Sequence, residues 1–334
     1  MCSVGSTLPA NWLVGKREAD VSGRHSAGAR TTARHGGPRV IEKLATAEQA
    51  IRLVRDGDVV GLQSGPTQCA PMALVRELIR GGARDLHIVS LSGGIALDWL
   101  VAAGAVGHVT FAAATMEHFG MCRRFRRAVE AGAVGVEELS ETALLARLGA
   151  AARGLPFLPT AGMIGTDLLS VGNPAVKVVP DPFGGPPVVA CAALRPDVAL
   201  LHAHRADRFG NVAVDPGPRH PMTTLLPRAA RRVVVTVEEI VDTDELRKAP
   251  ERTVLPSFLV DAVVEAPYGA HPTSLFPAYD HDAEFIRSWV GAAGDEQGAA
   301  RFLDRVVRGA ATHGDYVAMI GPERLAGLGP CGAR

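Results

Sequence analysis

The stretch Gly61-Leu62-Gln63-Ser64-Gly65-Pro66 combines two glycines with a carboxamide and a hydroxyl, directly after an apolar run. Backbone amides in such a strand-to-helix turn can gather around a phosphate or a developing oxyanion. The string matches neither a P-loop nor the dinucleotide fingerprint, and a tight turn alone would want the same residues. Ser92-Gly93-Gly94 repeats the situation after the next apolar run. Two glycine-bearing turns at the carboxyl ends of successive strands converge on the crevice where open α/β sheets bind ligands. Gln63, Ser64, Gly65, Ser92, Gly93 and Gly94 are therefore candidate binding residues.

Titratable groups collect at the same end. Glu117 and His118 fall in a loop after the run 109–113. Surface decoration is the ordinary explanation there, but the location favours contact with a ligand. Glu137, Glu138 and Glu141 come where a strand gives way to a helix, so one is expected to cap the helix and another is a candidate general base, with capping the default. Arg123, Arg124, Arg126 and Arg127 read as a solvated basic face before they read as a phosphate clamp. His202 and His204 point to one side of an extended strand, a spacing that suits a metal. The sequence sets no third ligand beside them, so they are expected to be satisfied polar residues and no metal site is expected. Glu238 and Glu239, with Asp242, Asp244 and Glu245, read as a helix cap and first turn.

These residues need a scaffold that presents its strand ends on one side. Residues 47–53 read helical, 56–58 turn, and 59–62 form a buried strand. Apolar spacing at Met72, Val75, Leu78 and Ile79 predicts a helix over 72–80, followed by a strand at 86–91. Helix 97–103, strand 109–113, helix 122–131 and a short strand at 134–139 continue the pattern. Further apolar strands follow at 188–192, 198–204, 233–236 and 259–265. Such alternation predicts an α/β fold, a doubly wound and mainly parallel sheet with helices on both faces. One domain is expected from residue 39 to 334, its helices from about 283 packing on the sheet or on a partner. Residues 155–187, rich in Pro and Gly, are expected to form a long ordered loop or flap. Residues 1–38 lack apolar periodicity and are expected to be a disordered tail.

Bulk properties narrow the partners. Among 334 residues, 35 Lys+Arg balance 35 Asp+Glu, so no overall charge draws the chain to nucleic acid or an anionic membrane. No stretch approaches the roughly 20 apolar residues that span a bilayer. The five cysteines are odd in number and scattered, and a reducing cytoplasm fits them best.

Several strings, taken in order, resemble the A-type chain of family I CoA-transferases of the glutaconate type. They are Pro71-Met72-Ala73-Leu74-Val75-Arg76, Glu117-His118-Phe119-Gly120, Gly154-Leu155-Pro156-Phe157-Leu158-Pro159-Thr160 and Gly165-Thr166-Asp167-Leu168. Asp181-Pro182-Phe183, residues 193–198, His204-Arg205-Ala206-Asp207, residues 236–246 and residues 260–273 continue the likeness. It runs from about residue 41 to about 282. The resemblance implies a CoA-transferase/sugar-phosphate-isomerase-like fold and a B-type partner subunit of similar fold, in a heterodimer or heterotetramer. It implies a coenzyme A thioester as substrate and no permanently bound cofactor. In that family a glutamate of the B-type chain attacks the acyl-CoA, through an acyl anhydride and a glutamyl-CoA thioester. The first loop of such A-type chains commonly carries a Gly-Gly-Phe-Gly-like string, where Gln63-Ser64-Gly65-Pro66 stands here. Proline removes an amide, so the contacts of that loop have shifted.

Steroid ring-cleaving hydrolases resemble these transferases too, and rely on a glutamate in the A-type chain. The position that looks similar here is Glu138. Three functions are therefore carried forward: CoA transfer between an acyl-CoA and a carboxylate as the leading one, ring-cleaving hydrolysis of an acyl-CoA as its rival, and a non-catalytic binding subunit.

Overall fold

Short β-branched runs pair in parallel here because every crossover between them contains a helix, which returns the chain to the starting edge of the sheet. The computed structural model describes residues 41–216 and 221–330. The tail expected at 1–38 lies outside the described residues. In chain order the first half comprises α1 (Ala47–Ile51), β1 (Val59–Leu62), α2 (Met72–Arg80), β2 (Leu86–Gly93), α3 (Ile95–Ala102), β3 (Val106–Ala114), α4 (Arg123–Glu130), β4 (Gly135–Glu138) and α5 (Glu141–Ala152). Then come β5 (Phe157–Thr160), β6 (Val176–Val179), β7 (Val188–Ala192), β8 (Val198–Ala206), β9 (Val212–Ala213), α6 (Met222–Ala229), β10 (Arg232–Ile240), α7 (Thr243–Arg247), β11 (Thr253–Leu255) and β12 (Ala262–Glu265). The chain continues through α8 (Ala283–Ala292), α9 (Glu296–Leu303), α10 (His313–Ile320) and α11 (Pro322–Ala326).

The parallel strands lie in the order β12-β10-β8-β1-β2-β3-β4, with β9 and β11 added antiparallel beyond the end of β8. The sheet grows outward from β1 on one side and from β8 on the other, so the β1/β8 boundary is a topological switch point. Alternate residues serve opposite cores. Val198 and Leu200 join the cluster of α2, α3, α8 and α9, whereas Ala199 and Leu201 join that of α5 and α6. The expected sheet covered on both faces is what forms.

Two expectations fail in the middle of the chain. Residues 155–187 are not one loop, and the strand at 188–192 does not enter the main sheet. Instead β5, β7 and β6 make a separate three-stranded antiparallel sheet, with β7 central. Pro159 hid β5, yet an edge strand tolerates proline because it owes the ladder no inward N–H. The strand expected at 259–265 begins only at Ala262, after a single helical turn at Ser257–Leu259.

The C-terminal helices pack on this chain. Trp289 and Trp99 stack edge to face at 5.9 Å, and the Trp289 indole donates to Asp98 Oδ2 (2.9 Å). Asp98 also accepts from the Arg124 and Phe125 amides (2.9 Å each), which pins the start of α4 to α3. Burial pushes the Asp98 carboxyl up to about 6, against the pull of those donors. Fully buried Arg76 donates to the His271 carbonyl (3.1 Å) and lies over the Tyr316 ring at 3.6 Å, which joins α2 to α10.

Candidate active site

The carboxyl ends of β1, β2, β3 and β4 bring most of the sequence-derived candidates to one side of the sheet. Gln63 follows β1 and is nearly fully buried. Its Oε1 accepts from the His202 amide (2.9 Å) and its Nε2 donates to Thr223 Oγ1 (2.8 Å). Both ends of that carboxamide are thus committed to β8 and α6. Ser64, also buried, donates to the Gly65 carbonyl (3.0 Å), and the Gly65 amide donates to the Gln68 carbonyl (2.9 Å). The glycine-bearing turn is therefore closed on itself among the described residues.

The second turn is shorter than expected, because β2 runs on through Gly93 and leaves only Gly94 outside it. A Cβ at Gly94 would stand 2.1 Å from the Pro66 carbonyl oxygen, so the two turns touch backbone to backbone and only glycine permits it. Convergence of the 63–66 and 92–94 segments is thus present. Glu117 and His118 form an exposed single turn after β3; Glu117 sits at φ 55°, and His118 stacks on Phe119 with centroids 3.9 Å apart. Arg123, Arg126 and Arg127 are exposed, and Arg126 pairs with Glu130 within α4.

Strand β4 carries the most distinctive chemistry. Neither Glu137 nor Glu138 caps the following helix; Ser140 does so, accepting from the Ala143 amide. Ser is the better cap because its short side chain reaches the amide while its backbone stays extended. Glu137 pairs with the nearly buried Arg147 of α5 (2.5 Å) and accepts from Thr110 Oγ1 (2.6 Å), which in turn meets His87 Nε2 (2.8 Å). Burial raises the Glu137 carboxyl, but Thr110 and Arg147 outweigh it and hold it below the usual carboxylate range. Burial and the neighbouring His108 ring push His87 down to about 4, so it is neutral. Glu138, at the end of β4, is exposed and makes no salt bridge among the described residues. Strand alternation sends Glu137 and Glu138 to opposite faces. Both border a cavity of about 600 Å³ along the open edge of β4, closed on the far side by residues 168–175.

A second group escaped the sequence reading. Glu238 and Glu239 lie within β10 rather than at a helix start, because the strand runs beyond the apolar residues 233–236 to Ile240. His202 Nε2 meets Glu238 Oε1 (2.6 Å), and that oxygen also accepts from the Tyr279 hydroxyl (2.8 Å). Glu238 Oε2 accepts from the Tyr268 amide (2.6 Å), and His202 Nδ1 meets Thr236 Oγ1 (2.9 Å). His204 meets the Phe276 carbonyl (3.0 Å), and its Nδ1 accepts from the Asp215 amide (3.3 Å). Both histidines are thus satisfied inside the fold, as their positions at a strand end suggested. Glu238 lies two residues beyond Thr236, the register partner of His202, so the pair depends on the alignment of β8 with β10, which the sequence does not show. Among the described residues no group of three or more His, Cys, Asp or Glu is arranged to hold a metal ion.

The geometry offers a crevice at strand ends and a cavity with one exposed carboxylate at its border, and among the described residues no helix is long and apolar enough to cross a membrane. Comparison with known proteins adds four relatives. The A-type chain of a 3-oxoadipate CoA-transferase from Pseudomonas knackmussii is 36% identical over 282 residues, covering 84% of this chain and 98% of its own. The A-type chain of glutaconate CoA-transferase from Acidaminococcus fermentans is 32% identical over 307 residues, covering 86% of this chain and 95% of its own. The crystal structure of that enzyme superposes with a TM-score of 0.81 at 31% identity, over 86% of this chain and 95% of the other. The IpdA subunit of a cholesterol ring-cleaving hydrolase from Mycobacterium tuberculosis is 32% identical over 290 residues, covering 84% of this chain and 97% of its own. An uncharacterised protein of Archaeoglobus fulgidus is 38% identical over 287 residues, 85% of this chain, and the match spans 63% of that longer protein. Residues 44–266 match the model of the coenzyme A transferase family, and with that match over most of the chain, on the fold and strand-end crevice just described, the protein belongs to the coenzyme A transferases.

Proposed function

We propose that the chain is the A-type member of a heteromeric acyl-CoA:carboxylate CoA-transferase that works in the cytoplasm with a B-type subunit, in a heterodimer or heterotetramer. The observation that carries this is the likeness to A-type chains along nearly their whole length, 95% and 98%. The internal chemistry supports it. Glu137 is committed to Arg147 and Thr110, and Glu238 to His202, Tyr268 and Tyr279, so neither is poised to attack a thioester.

In this reading a glutamate of the partner attacks the thioester carbonyl, the C–S bond breaks, and CoA leaves as thiolate. The thiolate then attacks the glutamyl carbonyl of the resulting anhydride and releases the first acyl group as a carboxylate. The acceptor carboxylate reverses both steps on the glutamyl-CoA thioester. Coenzyme A is substrate throughout, and no bound cofactor is required. This chain supplies one wall of the cleft, with Gly65, Ser92, Gly94, Glu117 and His118 on the strand-end side that faces it. The purified chain should show no CoA transfer with any pair of acyl-CoA and acceptor, and turnover should appear on adding the B-type subunit. Turnover by the chain alone would end this reading.

A second reading is favoured by Glu138, which is exposed, outside any salt bridge among the described residues, and at the border of the cavity. In a ring-cleaving hydrolase that carboxylate would act as general base.

A further inference from the structure

Building on the acyl-CoA reading, we propose that the cavity beside β4 receives an uncharged, largely apolar acyl group and that the Glu137–Arg147 pair excludes acyl groups bearing a second carboxylate. The volume, about 600 Å³, lies within the range of small-molecule sites. Val136, Leu168, Val171, Pro174 and Ala175 supply apolar wall. Val171 is 73% exposed, an apolar side chain left for something to cover.

Charge decides the class of acyl group. Arg147 is the one guanidinium lining the cavity among the described residues, and it is already occupied. Its Nη1 donates to Glu137 Oε1 (2.5 Å) and its Nε to the Ala192 carbonyl (3.1 Å). The side chains of the pair are only 8% and 16% exposed. Glu138 adds a carboxylate at the border, so these three groups leave a net negative charge. A distal carboxylate entering here would shed water and meet like charge without a counter-ion. Drawing Arg147 away to receive it would strand Glu137, which costs more than breaking an exposed pair would. An apolar chain meets neither obstacle.

The test is calorimetric titration of the complex between this chain and its B-type partner with hexanoyl-CoA and with glutaryl-CoA. The two esters share the CoA moiety and are of similar length, and only the second has a terminal carboxylate. Binding is read without reliance on turnover. Hexanoyl-CoA should bind at least about tenfold tighter. Glu137→Gln, which releases Arg147, should narrow that ratio by about tenfold through a gain for glutaryl-CoA. Val171→Arg places a new cation on an exposed wall residue without touching the buried pair, and should narrow it in the same direction. Equal or tighter binding of glutaryl-CoA by the unmodified complex overturns the inference, as does a ratio unchanged in both variants. If neither ester binds to a complex that does assemble, the acyl-CoA reading itself is wrong and this inference goes with it.

Discussion

Replacing Glu238 by Gln should loosen the β8–β10 end of the crevice. The carboxylate accepts three hydrogen bonds, from His202 Nε2 (2.6 Å), Tyr279 Oη (2.8 Å) and the Tyr268 amide (2.6 Å). Glutamine offers one accepting oxygen and an NH₂ that only donates. Whichever way it turns, at least one donor faces another donor. A stranded donor costs about 1–3 kcal/mol, and loss of the charge-assisted bonds adds to it. The Glu238 side chain is 19% exposed, so water relieves part of this and about 2 kcal/mol is the expectation. For a chain of this size that lowers the melting midpoint by about 3 °C. The neighbouring Glu239 is exposed and points the other way, so Glu239→Gln should move the midpoint by less than about 1 °C. Burial raises the Glu238 carboxyl, but His202, the Tyr268 amide and Tyr279 hold it below its ordinary value. A depressed folded-state value means the contribution is present above about pH 4.3 and is lost as pH falls below it. The gap between wild type and Glu238→Gln should therefore be largest near pH 7 and shrink below about pH 4. Scanning calorimetry of both variants across that range is the assay. Equal shifts for the two variants, or a gap that widens on acidification, would refute the reasoning.

Asp282 is 4% exposed, caps α8 through the Phe285 amide (2.9 Å), and meets His271 Nε2 (3.1 Å) and Arg324 Nε (2.6 Å). Asp282→Ala should cost about 3 kcal/mol in urea unfolding, and a loss under about 1 kcal/mol would contradict its role as anchor of the C-terminal helices. Glu138→Gln in the assembled complex should lower turnover by at most about tenfold if the chemistry is transfer. A collapse beyond about a hundredfold with CoA binding intact would instead favour the hydrolase. Deleting residues 1–38 should lower the melting midpoint by less than about 4 °C, because their composition offers no core-facing pattern; a larger drop would show that segment to be docked.

The layered sheet was legible because buried parallel strands are written as continuous apolar runs, and β1 and α2 begin and end where their periodicity says. The small sheet was not. β5 contains Pro159 and β6 contains Lys177, so neither reads as a buried strand, and antiparallel pairing on β7 depends on contacts far apart in sequence. At the site, glycine spacing correctly brought the 63–66 and 92–94 turns together. It could not show that Gln63 is consumed by His202 and Thr223, because those partners lie 139 and 160 residues away. The position of Glu137 before a helix suggests a cap, whereas its partner Arg147 lies on that helix and only the crossing of α5 over the sheet makes the pair visible.

The most direct measurement is intact-protein and peptide mass spectrometry of the complex, quenched after mixing with an acyl-CoA and no acceptor. A CoA-sized adduct on a glutamate of the B-type subunit, with none on this chain, is the result expected of an A-type chain whose partner holds the nucleophile. An adduct on this chain, at Glu138 or elsewhere, or steady acyl-CoA consumption with no adduct on either polypeptide, would contradict it.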